Sequence, residues 1–235
     1  MNIILLRPDD WINSEQVRLA DRRHQHLTGV LAVSVGDEVR VGLLGGLCGT
    51  GVVQSIADAD TVLSVSLTQA PPPRHPFTVV LALPRPKMLR RVLRTCAEFG
   101  VTHLHLINSW RVEKSFWQSP LLNEDNINAA LQAGLERSGD TLAPAVSLHK
   151  RFKPFIEDSL QSIAAGQPIY IAHPGQHPVL AGDATTPALI MIGPEGGFIP
   201  YEVELALTHG AEPRAMGQRI LSVDTALNAA LARAL

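Results

Sequence analysis

The sequence predicts an α/β fold, a mainly parallel sheet flanked by helices, preceded by a small β-barrel-like domain. Three observations carry this reading. Residues 77–235 alternate short apolar runs with helical segments, the pattern of strand–helix units building a parallel sheet. Residues 1–70 lack that alternation and hold short β-branched runs between turn residues. The proline-rich stretch APPPRHP at 70–76 separates the two textures. The expected division is a first domain over 1–70, a linker over 71–76 and a second domain over 77–235.

In the first region DEVRVGL, GTGVVQSI and TVLSVSLT read as strands, and DRRHQHLTGVLA as one helix. GLLGGLCGTG (42–51) lies between two of these strands and lacks the Lys-Ser/Thr of a phosphate loop, so it predicts a hairpin turn. Beyond the break, FTVVLALP predicts a buried strand and PKMLRRVLRTCAEFG a helix stopping at Gly100. VTHLHLIN is a strand, and NEDNINAALQAGLERSG a helix opened by Asn123 and acids. AVSLHK, PIYIAHPG and ALIMI are strands, with KPFIEDSLQSIAAG as a helix between the first two. PYEVELALTHG is a helix with Pro200 at its first position and Gly210 as its stop. In the tail, Ser222 caps a helix whose Leu227, Leu231 and Leu235, with Ala230 and Ala234, form one apolar stripe. That stripe serves either packing within the chain or a subunit contact. Its place at a chain end favours the subunit contact.

The chain of 235 residues is 46% apolar and 18% charged, ordinary values for a globular protein. No apolar run is long enough to span a membrane, and the apolar stretch before Arg7 is too short for a signal peptide. Cys48 and Cys96 stand far apart and read as reduced thiols, so a cytoplasmic protein is expected. A net charge of −2 argues against a uniformly basic nucleic-acid binder. Its distribution says more. Arg85, Lys87, Arg90, Arg91 and Arg94 precede any acid in PRPKMLRRVLR, Arg22 and Arg23 sit in RLADRRHQH, and HKRFK forms a third cluster. One such cluster is the usual sign of a solvated helix face; three raise the case for a polyanion such as RNA. His103 and His105 fall on one strand face without a visible third ligand, so no metal site is expected.

Three loops follow strands or precede the last helix: AHPGQH, GPEGG and MGQRILSVDTA. Glycine at a strand-to-helix join permits positive φ and lets a ligand approach bare backbone; taken alone, GPEGG reads equally as a tight loop with no ligand. Converging loops of this kind make a mostly apolar pocket with main-chain donors, suited to an adenine ring and a sulfonium better than to a triphosphate.

IMIGPEGGF followed by MGQRIL and DTA resembles the RsmE family of 16S ribosomal RNA uracil-N3 methyltransferases, within the SPOUT superfamily. PKMLRRVLRTCAEFGVTHLHLI is similar to the same family, and the resemblance covers nearly the whole chain. It implies a C-terminal trefoil knot, a PUA-like RNA-binding β-domain at the start, S-adenosylmethionine as methyl donor, a homodimer, and ribosomal RNA or the small ribosomal subunit as partner. The implied cofactor shell is His173 and Pro174 from the first loop, and Ile192, Gly193, Pro194, Glu195, Gly196 and Gly197 from the second. Met216, Gly217, Ile220, Leu221, Ser222, Thr225 and Ala226 complete it. Arg219 is expected to stabilise negative charge on the uracil, and Asp224 or Glu195 to accept its N3 proton, with His173 as another candidate base. Asp224 also reads as a simple helix-start acid. The family pattern Arg-Ile-Leu-Arg-x-Glu-Thr-Ala departs here to Ser222 and Asp224. Another SPOUT target, a different base or a ribose hydroxyl, or a non-catalytic RNA-binding homologue, stand as alternatives.

Overall fold

The computed structural model describes residues 1–183 and 185–235. The chain divides into two compact units, Met1–Pro73 with Gln132–Ala143, and Arg74–Leu131 with Pro144–Leu235. The inclusion of 132–143 in the first unit is not something a linear division of the chain anticipates.

The first unit contains β1 (Ile4–Leu6), β2 (Gln16–Leu19), α1 (Arg22–Gly29), β3 (Glu38–Leu43), β4 (Cys48–Ile56) and β5 (Thr61–Gln69). They form a mixed sheet in the order β1-β3-β4-β5-β2, with β1 parallel to β3 and the other pairs antiparallel. Inward positions of the strands, with Leu27 of α1, supply the core: Ile4, Leu6, Val17, Leu19, Val41, Val53 and Leu63 are buried together. Residues 42–51 form the hairpin between β3 and β4, in the register Gly42↔Cys48. β1 and β2 escape sequence reading because three or four residues carry too little periodicity to register.

Arg22 and Arg23, expected on an RNA surface, serve this unit's own architecture. Arg23 is 4% exposed. Its guanidinium donates to Asp10 Oδ1 at 2.7 Å, to Asp21 Oδ1 at 2.9 Å and to the Leu5 carbonyl at 2.7 Å. A buried, saturated guanidinium has no donor left for a phosphate, so Arg23 leaves the RNA-binding set. Arg22 is half exposed and pairs with the buried carboxylate of Glu136 through both terminal nitrogens.

The second unit begins with β6 (Phe77–Ala82), α2 (Pro86–Glu98), β7 (His103–Ile107), the start of α3 (Glu124–Ser138), whose residues from Gln132 on belong to the first unit, and β8 (Ala145–His149). Then α4 (Phe152–Pro154) runs through a π-helical turn at Phe155–Ser159 into α5 (Leu160–Ala164). β9 (Ile169–Ala172), β10 (Ala188–Ile192), α6 (Pro200–Thr208), β11 (Ala211–Arg214) and α7 (Val223–Leu231) follow. The sheet order is β11-β9-β10-β6-β7-β8 and every pair is parallel. β10 is buried along its whole length, as a continuous apolar run covered on both faces must be. β11 reads AEPR, and Pro213 is tolerated because β11 lies at the sheet edge.

From β6 the chain steps outward through β7 to β8, then returns to the other side of β6 for β9 and β10. The β6–β10 border is therefore a topological switch point, where open α/β sheets hold ligands at the carboxyl ends of their strands. On α7, Leu227, Ala230 and Leu231 are fully buried and Ala234 beyond it nearly so. Buried His75 donates from Nε2 to the Leu231 carbonyl at 2.9 Å, fixing the end of this helix. The apolar stripe expected to favour a subunit contact is thus used within the chain. Leu235 alone of its leucines stays exposed.

Candidate active site

The carboxyl ends of β9 and β10, the loop before α7 and the loop after β7 surround a cavity of about 310 Å³. β9 ends in Ala172, His173 and Pro174, and β10 in Ile192 followed by the glycine loop 193–197 and Phe198. Met216, Gly217, Arg219, Ile220 and Leu221 come from the third loop, Val223 and Ala226 from α7, and Arg111 from beyond β7. Fourteen of the residues expected from sequence therefore share one wall, all but Ser222, Thr225 and Asp224.

The glycine loop is a closed turn. Gly197 N–H donates to the Pro194 carbonyl at 2.7 Å. Gly197 has φ +73° and no atom within 4 Å of where a Cβ would stand. Its positive φ is what glycine supplies cheaply here. A Cβ on Gly196 would instead meet Arg111 Cδ at 2.8 Å, because the Arg111 guanidinium donates to the Gly196 carbonyl. The first loop is braced to the sheet edge: His173 N–H donates to the Arg214 carbonyl at 3.0 Å, and Leu180 N–H to that of Ala215 at 2.9 Å. The His173 imidazole is held below its ordinary pKa by burial and by the nearby His177 ring, 5.7 Å away between centroids.

Sequence reasoning missed Arg111, Ala172, Phe198 and Val223 on this wall. Arg111 carried a readable signal, since NSWR follows a parallel strand at the same carboxyl edge as the glycine loop. Its support was not readable. Glu202 of α6 is 3% exposed and accepts from Trp110 N–H at 2.8 Å, Ser109 Oγ at 3.1 Å and Ile199 N–H at 3.0 Å. One buried carboxylate thereby ties the loop after β7 to the start of α6, as charge-assisted hydrogen bonds do strongly.

The carboxylates expected to take a proton are held by Arg85, just before α2, and by Arg91 within it. Arg85 Nε donates to Glu195 Oε1 at 3.0 Å, and Arg91 Nη1 to Asp224 Oδ2 at 3.0 Å. Ser222 Oγ donates to Asp224 Oδ1 at 2.6 Å and is 2.9 Å from Thr225 Oγ1. The Ser222 hydrogen bond, with Arg91 beside it, holds the Asp224 carboxyl below its usual range. Ser222, Asp224 and Thr225 thus form the opening of α7 and not the cavity wall. Along α2, Lys87, Arg90 and Arg91 are exposed while Arg94 is half-buried. The basic face is Lys87–Arg90–Arg91, one step round from the Lys87–Arg91–Arg94 face that helical spacing suggests.

The third basic cluster, HKRFK, leads out of a histidine group. His105 Nδ1 lies 3.1 Å from His149 Nε2, and the His103 ring stacks on His105 at 5.4 Å. Burial, then His149 and His103, push the His105 imidazole down to about 4. Among the described residues no group of three or more His, Cys, Asp or Glu could hold a metal ion, and no helix is long and apolar enough to cross a membrane.

A parallel sheet with a glycine turn, a guanidinium pair and an apolar cavity at its switch point defines a small-molecule-binding α/β domain. Residues 71–235 match the family described as RNA methyltransferase domain, and the chain belongs to that family. It is similar to Ribosomal RNA small subunit methyltransferase E of Treponema pallidum (strain Nichols), 26% identical over 99% of this chain and 90% of the relative. The protein of the same name from Synechocystis sp. is 25% identical over 98% of this chain and 76% of its own. Among solved structures, a probable rRNA-methyltransferase from Porphyromonas gingivalis superposes with a TM-score of 0.74 at 22% identity, covering 99% of this chain and 96% of the other. Ribosomal RNA small subunit methyltransferase E from Neisseria gonorrhoeae, solved bound to S-adenosyl methionine, gives 0.73 at 20% identity over 99% and 95%. These likenesses establish the fold, the six-stranded parallel sheet and the mixed sheet that precedes it.

Proposed function

We propose that this protein transfers the methyl group of S-adenosylmethionine to N3 of a uridine in small-subunit ribosomal RNA. The observation that carries the reading is the cavity itself: glycine backbone and apolar walls at the switch point of an RNA methyltransferase domain, with Arg219 and Arg111 on its rim. The relatives named for ribosomal RNA small-subunit methylation, and the one solved with the cofactor, support the substrate and the donor.

The residues fit the donor. Gly197 and Gly217 carry no side chain into the space beside them, with open room around a built Cβ at each. Ile192, Ile220, Leu221 and Ala226 would flank an adenine ring, and the backbone of 193–197 would hold the polar parts. When bound, S-adenosylmethionine supplies an electrophilic methyl carbon. The protein's part is alignment and charge. N3 of uracil carries a proton at neutral pH. For N3 to accept the methyl group, that proton must pass to an acceptor on this chain. Arg219 stabilises the negative charge that the uracil oxygens gain. Asp224 is a poor acceptor at neutral pH, being held low by Ser222 and Arg91. Glu195 is paired with Arg85. His173, on the cavity wall and neutral at neutral pH, is the acceptor this arrangement favours.

The exposed Lys87–Arg90–Arg91 face of α2 meets RNA phosphates in this reading. The family resemblance adds a trefoil knot through the last third of the chain, a PUA-like role for the first unit, a homodimer and a cytoplasmic setting. The test is to map methylated nucleosides in small-subunit RNA from a strain lacking the gene. Loss of 3-methyluridine at one position, restored by the gene, is the expected result. Loss of a ribose methyl or of another methylated base would replace the N3 assignment.

A further inference from the structure

Trp110 is 79% exposed, although an indole is among the side chains with most to gain from burial. Its backbone is not loose. Trp110 N–H is held at 2.8 Å by Oε1 of buried Glu202, and Ser109 beside it by Oε2 at 3.1 Å. The next residue, Arg111, lines the cavity and bonds the Gly196 carbonyl. One Cα–Cα step, about 3.8 Å, separates this indole's anchor from the cavity wall. Trp117, a few residues on, is by contrast partly buried and donates from Nε1 to Asn108 Oδ1 at 2.8 Å.

We infer that Trp110 is the stacking platform for the RNA base that receives the methyl group. The inference rests on the proposed methyl transfer and names how that site takes its second substrate. Unpaired RNA bases are gripped by stacking on aromatic faces, and a base must leave its helix to reach a donor in a pocket. Methyl transfer to N3 occurs at the edge of the ring. A platform under the ring's face fixes its plane and leaves that edge free. A rigid backbone matters because the reacting atoms must be aligned closely. Arg111 and Arg219, both on the cavity wall and both exposed, supply positive charge beside the base for its oxygens or its phosphate.

The test compares wild type, Trp110→Ala and Trp110→Phe on small ribosomal subunits from a strain lacking the gene, with labelled S-adenosylmethionine. In Trp110→Ala, kcat/KM for the subunits falls roughly tenfold to a hundredfold, the effect of losing one base–aromatic stack. Trp110→Phe stays within about threefold of wild type, since a smaller ring still stacks. Calorimetric affinity for S-adenosylmethionine is the same in all three. A Trp110→Ala rate within about twofold of wild type overturns the platform. So does an equal loss in both variants, or a change in light-scattering mass, which would assign the indole to loop structure or to a second copy of the chain. A wild type that transfers no methyl group to the subunits overturns the proposed function first, and the platform with it.

Discussion

The hairpin 42–51 and the turn 193–197 are both rich in glycine, and they differ in what surrounds those glycines. In the hairpin 42–51 the missing side chains of Gly42, Gly49 and Gly51 make room for protein, while Gly45 at the tip, with φ +81°, stands open. A Cβ on Gly49 would stand 2.8 Å from the Ser66 carbonyl carbon, one on Gly51 2.8 Å from Val41 Cγ1, and one on Gly42 2.9 Å from Ile3 Cδ1. In the turn 193–197 Gly193 and Gly196 are packed too, against Phe198 and Arg111, and it is Gly197 whose missing side chain leaves space. Nothing lies within 4 Å of a Cβ on Gly197, and the turn borders the cavity. Glycines packed by neighbours are an architectural requirement of the strands around them. Open space at a positive-φ glycine is by itself only the sign of a turn, as at Gly45; at Gly197 that space also borders the cavity.

The comparison can be broken most forcefully at Gly49. Gly49→Val sets a branched side chain against backbone, which cannot move aside cheaply, and should lower stability by about 3 kcal/mol or more. Urea denaturation measures it; a loss under about 1 kcal/mol would remove the packing argument. Gly197→Val should do the reverse. Its positive φ costs a branched residue about 1–2 kcal/mol, a shift of a few degrees in Tm. Calorimetric affinity for S-adenosylmethionine should nevertheless fall at least about tenfold. Unchanged affinity would mean that the space is not the ligand's.

A smaller effect sharpens the picture inside the turn. Gly196→Val displaces the flexible Arg111 side chain, so its damage should be largely reproduced by Arg111→Ala. If the double variant is no worse than either single one, both act through the same contact; additive losses would separate them. The smallest effect belongs to Asp224→Asn. The Arg91 side chain is 68% exposed, so solvent screens this pair to under about 1 kcal/mol. Because the folded carboxyl is held below its usual range, its contribution is present above about pH 4 and lost as pH falls through the lowered value. Wild type and Asp224→Asn should therefore differ slightly at pH 7 and converge in acid, as a pH series of melting curves would register.

Strong periodicity made most of the second unit legible: ALIMI became β10, FTVVLA became β6, and PKMLRRVLRTCAE became α2 nearly to the residue. β11 was not legible, because AEPR has neither apolar alternation nor length and owes its pairing to β9. The loops of the site were legible as loops. Their partners were not, because Arg111–Gly196, Arg85–Glu195 and Arg91–Asp224 join residues 85 to 133 positions apart. The same limit explains Arg23. A basic cluster shows charge, and only the fold shows that Asp10 and Asp21 have already claimed it. The dimer stripe failed similarly, since an apolar helix face says that it will be covered and not by what.

The segment 132–143 that completes the first unit has a consequence for inheritance. Asn2 N–H bonds the Glu136 carbonyl at 2.7 Å, Gly45 N–H bonds that of Thr141 at 2.9 Å, and Arg22 neutralises the buried Glu136 carboxylate. A gene cut at the proline-rich break would make one product without its closing segment. It would make another that carries a carboxylate stripped of its counter-ion. Neither piece is a cassette that recombination could lend to another protein. A lineage that exchanged one half would have to exchange this short insert as well, so the two halves are expected to descend together.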